Sequence, residues 1–455
     1  MTTTAVILIG GPNKGTRFRP LSFKQPKFLF PLGQHETIYY HILACSNFSK
    51  NNPAAKLKNI YIIGSYQSSD NQIQSFLNNC RQDSKLQNLS IQYLQEYANL
   101  GTAGAIYHFR DVFSSSEKIF VFNGDVLCNF PMDDMWNDCK KCDQVTNYGT
   151  SIMCCLPSSS KKSTLGNCII EKCSKSKNIE MNRIIHFVEK PKDLLPTHIS
   201  TGIYLLDLAN FLKIAKQKSL QLSLESHDEF TNDDYDPNFG FTSSQKSKII
   251  TLEKDIFPNL VDDESLFMTQ LENSSEINWV QIKTATSALN ANRFILQNHP
   301  IYEKNQVYIH PTAEISDSAK IGPNVSIGAY CKVGPGVRIT ESIILPNSKI
   351  GKNSCVVNSI IGWNNNIGDW AHIEGILPKV NPNLQNEILE NKRNGTADSL
   401  NLNRVDSHFE MDGTLKKLVT ILGHDVTILD EMLVYSCLIL PGKTIDYGVR
   451  NQIVL

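Results

Sequence analysis

The chain has 455 residues, with 44 Lys and Arg against 45 Asp and Glu, so its formal charge is −1. That balance removes the basic excess by which proteins bind nucleic acid or anionic membranes, and any affinity for phosphate must be local. No apolar run approaches the ~20 residues that span a bilayer, no basic leader precedes a cleavage site, and twelve cysteines in this length make no disulfide scaffold, which predicts a cytoplasmic protein with reduced thiols and with neither a nucleic-acid nor a membrane partner.

The length prior gives two or three domains. Ala5-Val6-Ile7-Leu8-Ile9 reads as a buried first strand. Gly10-Gly11-Pro12-Asn13-Lys14-Gly15-Thr16-Arg17-Phe18-Arg19-Pro20 follows it. Glycines leaving a strand bare backbone N–H groups to an anion, and Arg17, Arg19 and Lys27 add cations nearby. Gly10 and Gly15 have Walker A spacing, but Thr16 stands at the lysine position, and the dinucleotide G-x-G-x-x-G pattern is also missing. On the glycines alone, a phosphate cradle and a plain strand-to-helix turn both stay open.

Ile60–Ile63, Ile119–Asn123, Ser151–Leu156 and Ile203–Leu206 are the next strands, alternating with helical stretches. This order predicts an α/β domain, Rossmann-like, with a mostly parallel sheet covered on both faces. Ligands of such sheets sit at the carboxyl ends of strands, where the Gly10 turn, Asn123-Gly124-Asp125 and Thr201-Gly202 fall. Cys139-Lys140-Lys141-Cys142 lacks a second pair at zinc-ribbon spacing, and Cys154-Cys155 read as core. Residues 222–246 mix six acids with Ser, Asn and Gly. They read as a mobile insertion; an acidic metal site is the alternative, without spacing to support it. Domain one is placed at 1–283 and a linking helix at 284–306.

From Ile309 the period changes: Ile309, Ile315, Ile321, Ile327, Val333 and Ile339 recur every six residues. A β-solenoid of hexapeptide rungs gives that period, and neither a helix nor a simple strand does. The pattern slips onward through Ile350, Val356, Ile367 and Ile373 and resumes at Leu422, Ile428, Val434 and Leu440, which places a left-handed β-helix at 307–455. The stretch 374–418 interrupts it, as a contact element or as a tolerated insertion.

A strand–GG–loop–GTRxRP–PK domain followed by hexapeptide repeats resembles the sugar-1-phosphate nucleotidyltransferases over essentially the whole chain, and among them the alpha-type GDP-mannose pyrophosphorylases. Tyr308-Ile309-His310-Pro311-Thr312-Ala313 and the terminal Asn451-Gln452-Ile453-Val454-Leu455 support the narrower likeness. The resemblance implies transfer of a nucleotidyl group from GTP to mannose 1-phosphate, giving GDP-mannose. It implies Arg17 and Lys27 on the reacting phosphates, with Gly10, Gly11, Gly15 and Thr16 in the phosphate loop. It implies Glu189, Lys190, Thr201 and Gly202 on the sugar phosphate, and Asp125 on Mg²⁺. Glu96, Gly101 and Thr102 correspond to the base-reading segment. A carboxylate there can accept guanine N1–H and N2–H together, although a surface glutamate on a loop stays open.

Two departures stand out. The family's second metal-binding aspartate lies in a W-x-D-I-G stretch, which here reads Trp279-Val280-Gln281-Ile282-Lys283. Gln281 has no charge and Lys283 adds a cation, which disfavours Mg²⁺. The phosphate loop also carries Pro12-Asn13-Lys14 where the family has one residue. The expectation is a GDP-mannose-binding regulatory subunit of a catalytic beta-type partner. A chain active by itself and a scaffold like the translation-initiation exchange-factor subunits are the rival readings.

Overall fold

The computed structural model describes residues 1–12, 16–143, 149–157, 166–174, 180–189, 198–228, 249–271, 279–298, 306–376 and 418–455. Gly15, Lys190, the lengthened loop at Asn13-Lys14, residues 229–248 and residues 377–417 lie outside them. The chain divides into two compact units, Met1–Lys14 with Ile38–Trp279, and Gly15–Thr37 with Val280–Leu455. Gly15–Thr37, read from the sequence as part of the first domain, thus packs within the C-terminal unit.

Among the described residues, the main sheet of the first unit has nine strands: β1 (Thr3–Gly10), β2 (Asn59–Gly64), β3 (Ser90–Gln95), β4 (Lys118–Asn123), β5 (Ser151–Pro157), β6 (Gly166–Ser174), β7 (Glu180–Glu189), β8 (His198–Asp207) and β9 (Leu266–Gln270). Their spatial order is β3-β2-β1-β4-β8-β5-β9-β7-β6. The block β3-β2-β1-β4 is parallel, with Leu8 opposite both Ile63 and Asn123. Ala5, Val6 and Ile7 are wholly buried there, as a strand covered on both faces requires. β5 and β9 are parallel as well, whereas β8 runs against both β4 and β5, and β7 runs against both β9 and β6. The sheet is therefore mixed. Parallel order holds in the half that carries the Gly10 turn, and antiparallel pairing dominates the other half.

Helix α1 (Gly101–His108) follows β3, α2 (Met132–Asp143) follows β4, and α3 (Leu208–Asp228) follows β8. The stretch expected as an insertion from 222 begins inside α3, so its first seven residues are helical. Cys139 and Cys142 lie buried on α2, and burial pushes both thiols up to about 12. All twelve cysteines are free thiols. Among the described residues, no helix is long and apolar enough to cross a membrane.

In the second unit α4 (Ala285–Asn298) precedes a β-helix of three parallel sheets, the architecture expected from the six-residue period. Inward residues such as Ile327, Ile339, Val356, Ile361, Ile373, Ile428 and Val434 are wholly buried. Val307 pairs with Val325, eighteen residues on, but Ser326 pairs with Ile343, seventeen on. The following coils therefore drop one residue at a corner, and the last is shorter still, Val434 pairing with Val449 fifteen residues on, which is the physical cause of the slips. At the corner between Val434 and Ile439 the drop puts Ile439 in the core and leaves Leu440 half-buried, a correction to the inward position assigned to Leu440. Ile309 is 39% exposed, because the first coil has no neighbour on one side. The residues flanking 377–417 meet: the Leu418 carbonyl accepts from Ile376 N–H at 2.9 Å, and Ile360 pairs directly with Ile421.

Candidate nucleotide-binding site

The parallel register brings the carboxyl ends of β1, β2, β3 and β4 to one edge of the sheet. Gly10 takes φ = 68°, and its carbonyl accepts from Ser65 N–H at 2.8 Å. A Cβ on Gly11 would lie 2.9 Å from Ser65 Cβ, and one on Gly64 would lie 2.6 Å from the Gly10 carbonyl oxygen. This close approach accounts for the glycine pair by packing; its phosphate role rests on the motif.

Glu96 follows β3 and is 8% exposed, so it is not a surface loop residue. Its own N–H donates to Gly64 O at 2.7 Å. Oε1 accepts from Leu100 N–H at 2.7 Å and Oε2 from Ser65 Oγ at 3.4 Å. A carboxylate offers about four lone-pair positions, so these two bonds hold the group while leaving acceptor capacity.

Gly101 opens α1 at φ = 82°, where an added Cβ would lie 2.4 Å from Ile250 O. That carbonyl accepts from Ala103 N–H at 3.1 Å and Gly104 N–H at 2.9 Å, so these two N–H groups are already paired. Thr102 Oγ1 accepts from Leu252 N–H at 2.9 Å and lies 3.2 Å from Glu253 Oε2. Gly101 is thus fixed by close packing against Ile250, and the Thr102 hydroxyl is committed within the protein.

Beyond β4, Gly124 N–H donates to Leu8 O at 2.8 Å, holding the Asn123-Gly124-Asp125 turn against β1. Asp125 is half-buried. Gly202, at φ = 81°, faces Asn123; a Cβ there would lie 2.6 Å from Asn123 Nδ2. Thr201 Oγ1 donates to Cys154 O at 2.8 Å, and Thr201 O accepts from Trp279 Nε1 at 2.9 Å. The structure therefore brings the Asp125 turn and Thr201-Gly202 side by side, but the latter lie inside β8, where its pairing with β5 shifts register, and not at a carboxyl end of a strand as expected. Glu189, at the end of β7, is half-buried with Lys254 Nζ 3.8 Å away.

His41 escaped the sequence reading. It is wholly buried, its Nε2 is 3.3 Å from Asn123 O, and its ring lies 4.8 Å from Phe130 and 6.1 Å from Phe122. Only a fold that sets Phe122, Phe130 and Asn123 around one helix reveals it.

The second unit carries the remaining candidates. Arg17 lies in the 3₁₀ turn Thr16–Phe18, and Lys27 heads the turn Lys27–Leu29. Both are half-buried, as are Gln281 and Lys283. Among the described residues, no three His, Cys, Asp or Glu side chains are grouped so that they could hold a metal ion.

A glycine turn at the carboxyl edge of a parallel block, a buried acid beyond the next strands and an N-G-D turn beside it define a nucleotide-handling α/β domain, here coupled to a β-helix. The model of the Nucleotidyl transferase family matches residues 4–298, and that of the GMPPB C-terminal domain matches residues 303–454. The chain is 38% identical to the mannose-1-phosphate guanylyltransferase regulatory subunit alpha-A of Danio rerio, over 99% of each chain. It is 34% identical to the regulatory subunit alpha of Rattus norvegicus, again over 99% of each, and 34% identical to a probable mannose-1-phosphate guanyltransferase of Schizosaccharomyces pombe over the full length of both. The chain belongs to the alpha-type mannose-1-phosphate guanylyltransferase family.

Proposed function

We propose that this chain binds GDP-mannose and regulates a catalytic beta-type partner that makes it from GTP and mannose 1-phosphate. The observation that carries this reading is an uneven one. The base-side frame around Glu96 is buried and bonded, while Gln281 and Lys283 stand where the family has an aspartate and a glycine. Glu96 would accept the two adjacent N–H groups of guanine. The motifs assign Arg17, Lys27, Gly10 and Gly11 to the phosphates, and Thr201, Gly202 and Glu189 to the sugar side. Mg²⁺ is typically held by one or two carboxylates plus ligand phosphates. With a neutral amide and an added ammonium in the W-x-D-I-G stretch, the donor set fits that ion poorly. The twelve free thiols support a cytoplasmic setting. The interruption at 374–418 is the segment proposed to reach the partner, and 377–417 lies outside the described residues.

The deciding measurement is GDP-mannose affinity and turnover on one purified preparation. Expected are saturable GDP-mannose binding and negligible product from GTP, mannose 1-phosphate and Mg²⁺. Robust turnover without the partner, abolished by Asp125→Ala, would establish the chain as an enzyme in its own right. Absence of GDP-mannose binding would favour the scaffold reading.

A further inference from the structure

We propose that Trp363 and Asn292 are positioning residues for the segment 16–37, so that the β-helix sets where Arg17 and Lys27 stand. The inference deepens the reading above and rests on its assignment of those two cations to the ligand's phosphates.

Short 3₁₀ turns have poor hydrogen-bond geometry and hold their shape through packing. Arg17 and Lys27 each lie in such a turn, and each is a chain neighbour of buried aromatic residues: Phe18 is 1% exposed and Phe28 is 3% exposed. Two residues past Phe28, Phe30 is 1% exposed and joins the turns together. The rings of Phe18 and Phe30 meet edge to face, centroids 5.0 Å apart at 86°. Phe30 in turn meets the ring of Trp363 at 6.3 Å and 90°. Trp363 sits on the β-helix corner just past the strand Ser359–Ile361 and is 8% exposed. A row of three rings therefore runs from the β-helix wall to the residue beside Arg17.

A second tie lies at the other end of the segment. Gly33 turns the chain between the short strands Pro31–Leu32 and His35–Glu36 at φ = 57°. Its N–H donates to Asn292 Oδ1 at 3.0 Å, and Ser326 Oγ donates to the same oxygen at 2.6 Å. Asn292 is on α4, 1% exposed, and Ser326 is in the β-helix strand Val325–Ile327. One buried oxygen thus fastens the hairpin to the second coil. Between the two ties, Phe30 O accepts from Thr37 N–H at 3.0 Å and from Thr37 Oγ1 at 2.9 Å. The segment carrying both cations is gripped at a ring and at an amide, and both grips belong to the C-terminal half of the chain.

The test measures binding of GDP-mannose and of guanosine to the full-length chain. Guanosine lacks phosphates and serves as the control. Trp363→Leu and Asn292→Ala are each expected to weaken GDP-mannose about ten-fold or more, the scale of a lost charge-assisted hydrogen bond, with guanosine unchanged within about two-fold. Trp363→Phe and Asn292→Asp, which keep a ring and an acceptor, should restore most of the affinity. In an Arg17→Ala, Lys27→Ala background, Trp363→Leu should cost nothing further, because the cations it places are gone. Equal weakening of both ligands, or unchanged affinity for GDP-mannose, overturns the positioning role while the functional reading stands. A wild-type chain that binds neither ligand overturns the functional reading itself, and this inference with it.

Discussion

On the proposed reading, Glu96 serves the fold and a ligand together. Its carboxylate accepts from Leu100 N–H and Ser65 Oγ, which fixes its plane within the fold. Glu96→Gln keeps an oxygen for Leu100 N–H but removes the charge and one acceptor. Guanosine affinity should fall at least ten-fold, the cost of a hydrogen bond to a charged group, with little change in the melting temperature. Glu96→Ala should weaken binding comparably and also destabilise the fold by about 1–3 kcal/mol, because a buried N–H loses its acceptor. Paired binding isotherms and thermal melts read both effects; a Gln variant that binds guanosine like the wild type would remove Glu96 from base reading. The offset from Gly101 made Glu96 visible in the sequence. Its burial was not visible, since Ser65 reaches it only through the register of β2 and β3, and Leu100 only through the turn that brings its N–H back to the carboxylate four residues earlier. The same limit hid the work of Thr102 and Thr201: the motif marks them, and the fold commits their hydroxyls to Leu252 and Cys154.

At the scale of elements, the β-helix was the most legible part of the chain, because one stacking rule repeats along it. Six-residue steps put an aliphatic side chain on every inner wall, and left-handed residues close the corners: Tyr330, Asn347, Asn364 and Asp425 share one column with positive φ. Asn347 Nδ2 donates to Asn364 Oδ1 at 3.3 Å, and Asn364 Nδ2 to Asp425 Oδ1 at 2.9 Å. The misplacement of Leu440 has a simple source. Ile439 and Leu440 are equally apolar, and only the shortened corner decides between them. The column also passes the point of interruption unbroken, from Asn364 to Asp425, which predicts that the coil does not need the segment it encloses. Replacing 378–416 by a short Gly-Ser linker should leave cooperative melting of the β-helix intact. Shortening a loop by about three doublings changes closure entropy by about 2 kcal/mol, in the stabilising direction. Loss of cooperative melting in the excised chain would show that the segment holds the coils together.

For the whole molecule, chain order and packing order disagree. The family model runs unbroken through residues 4–298, and the sequence reading likewise drew a boundary at 283. Yet Phe18, Leu21, Phe28, Leu29, Phe30 and Leu32, each at most 3% exposed, lie in a segment that clusters with Val280–Leu455. Periodicity reports which side chains are apolar; it carries no record of which distant surface covers them, so Trp363 and Asn292 could not be foreseen as their partners. The consequence is a fragment that should fail. A chain ending at residue 283 keeps the six apolar side chains and loses Trp363, α4 and the coil that carries Ser326. At about 1.5–3 kcal/mol for each fully buried large side chain, exposing even half of them costs an amount comparable to the 5–15 kcal/mol that stabilises a typical domain. Fragment 1–283 should therefore bind a hydrophobic dye strongly, associate in solution and melt without a sharp transition, and co-expression with 284–455 should reverse all three. If the fragment is instead monomeric, dye-free and cooperative, the segment has a second home in the N-terminal unit, and the β-helix cannot be what holds it in place.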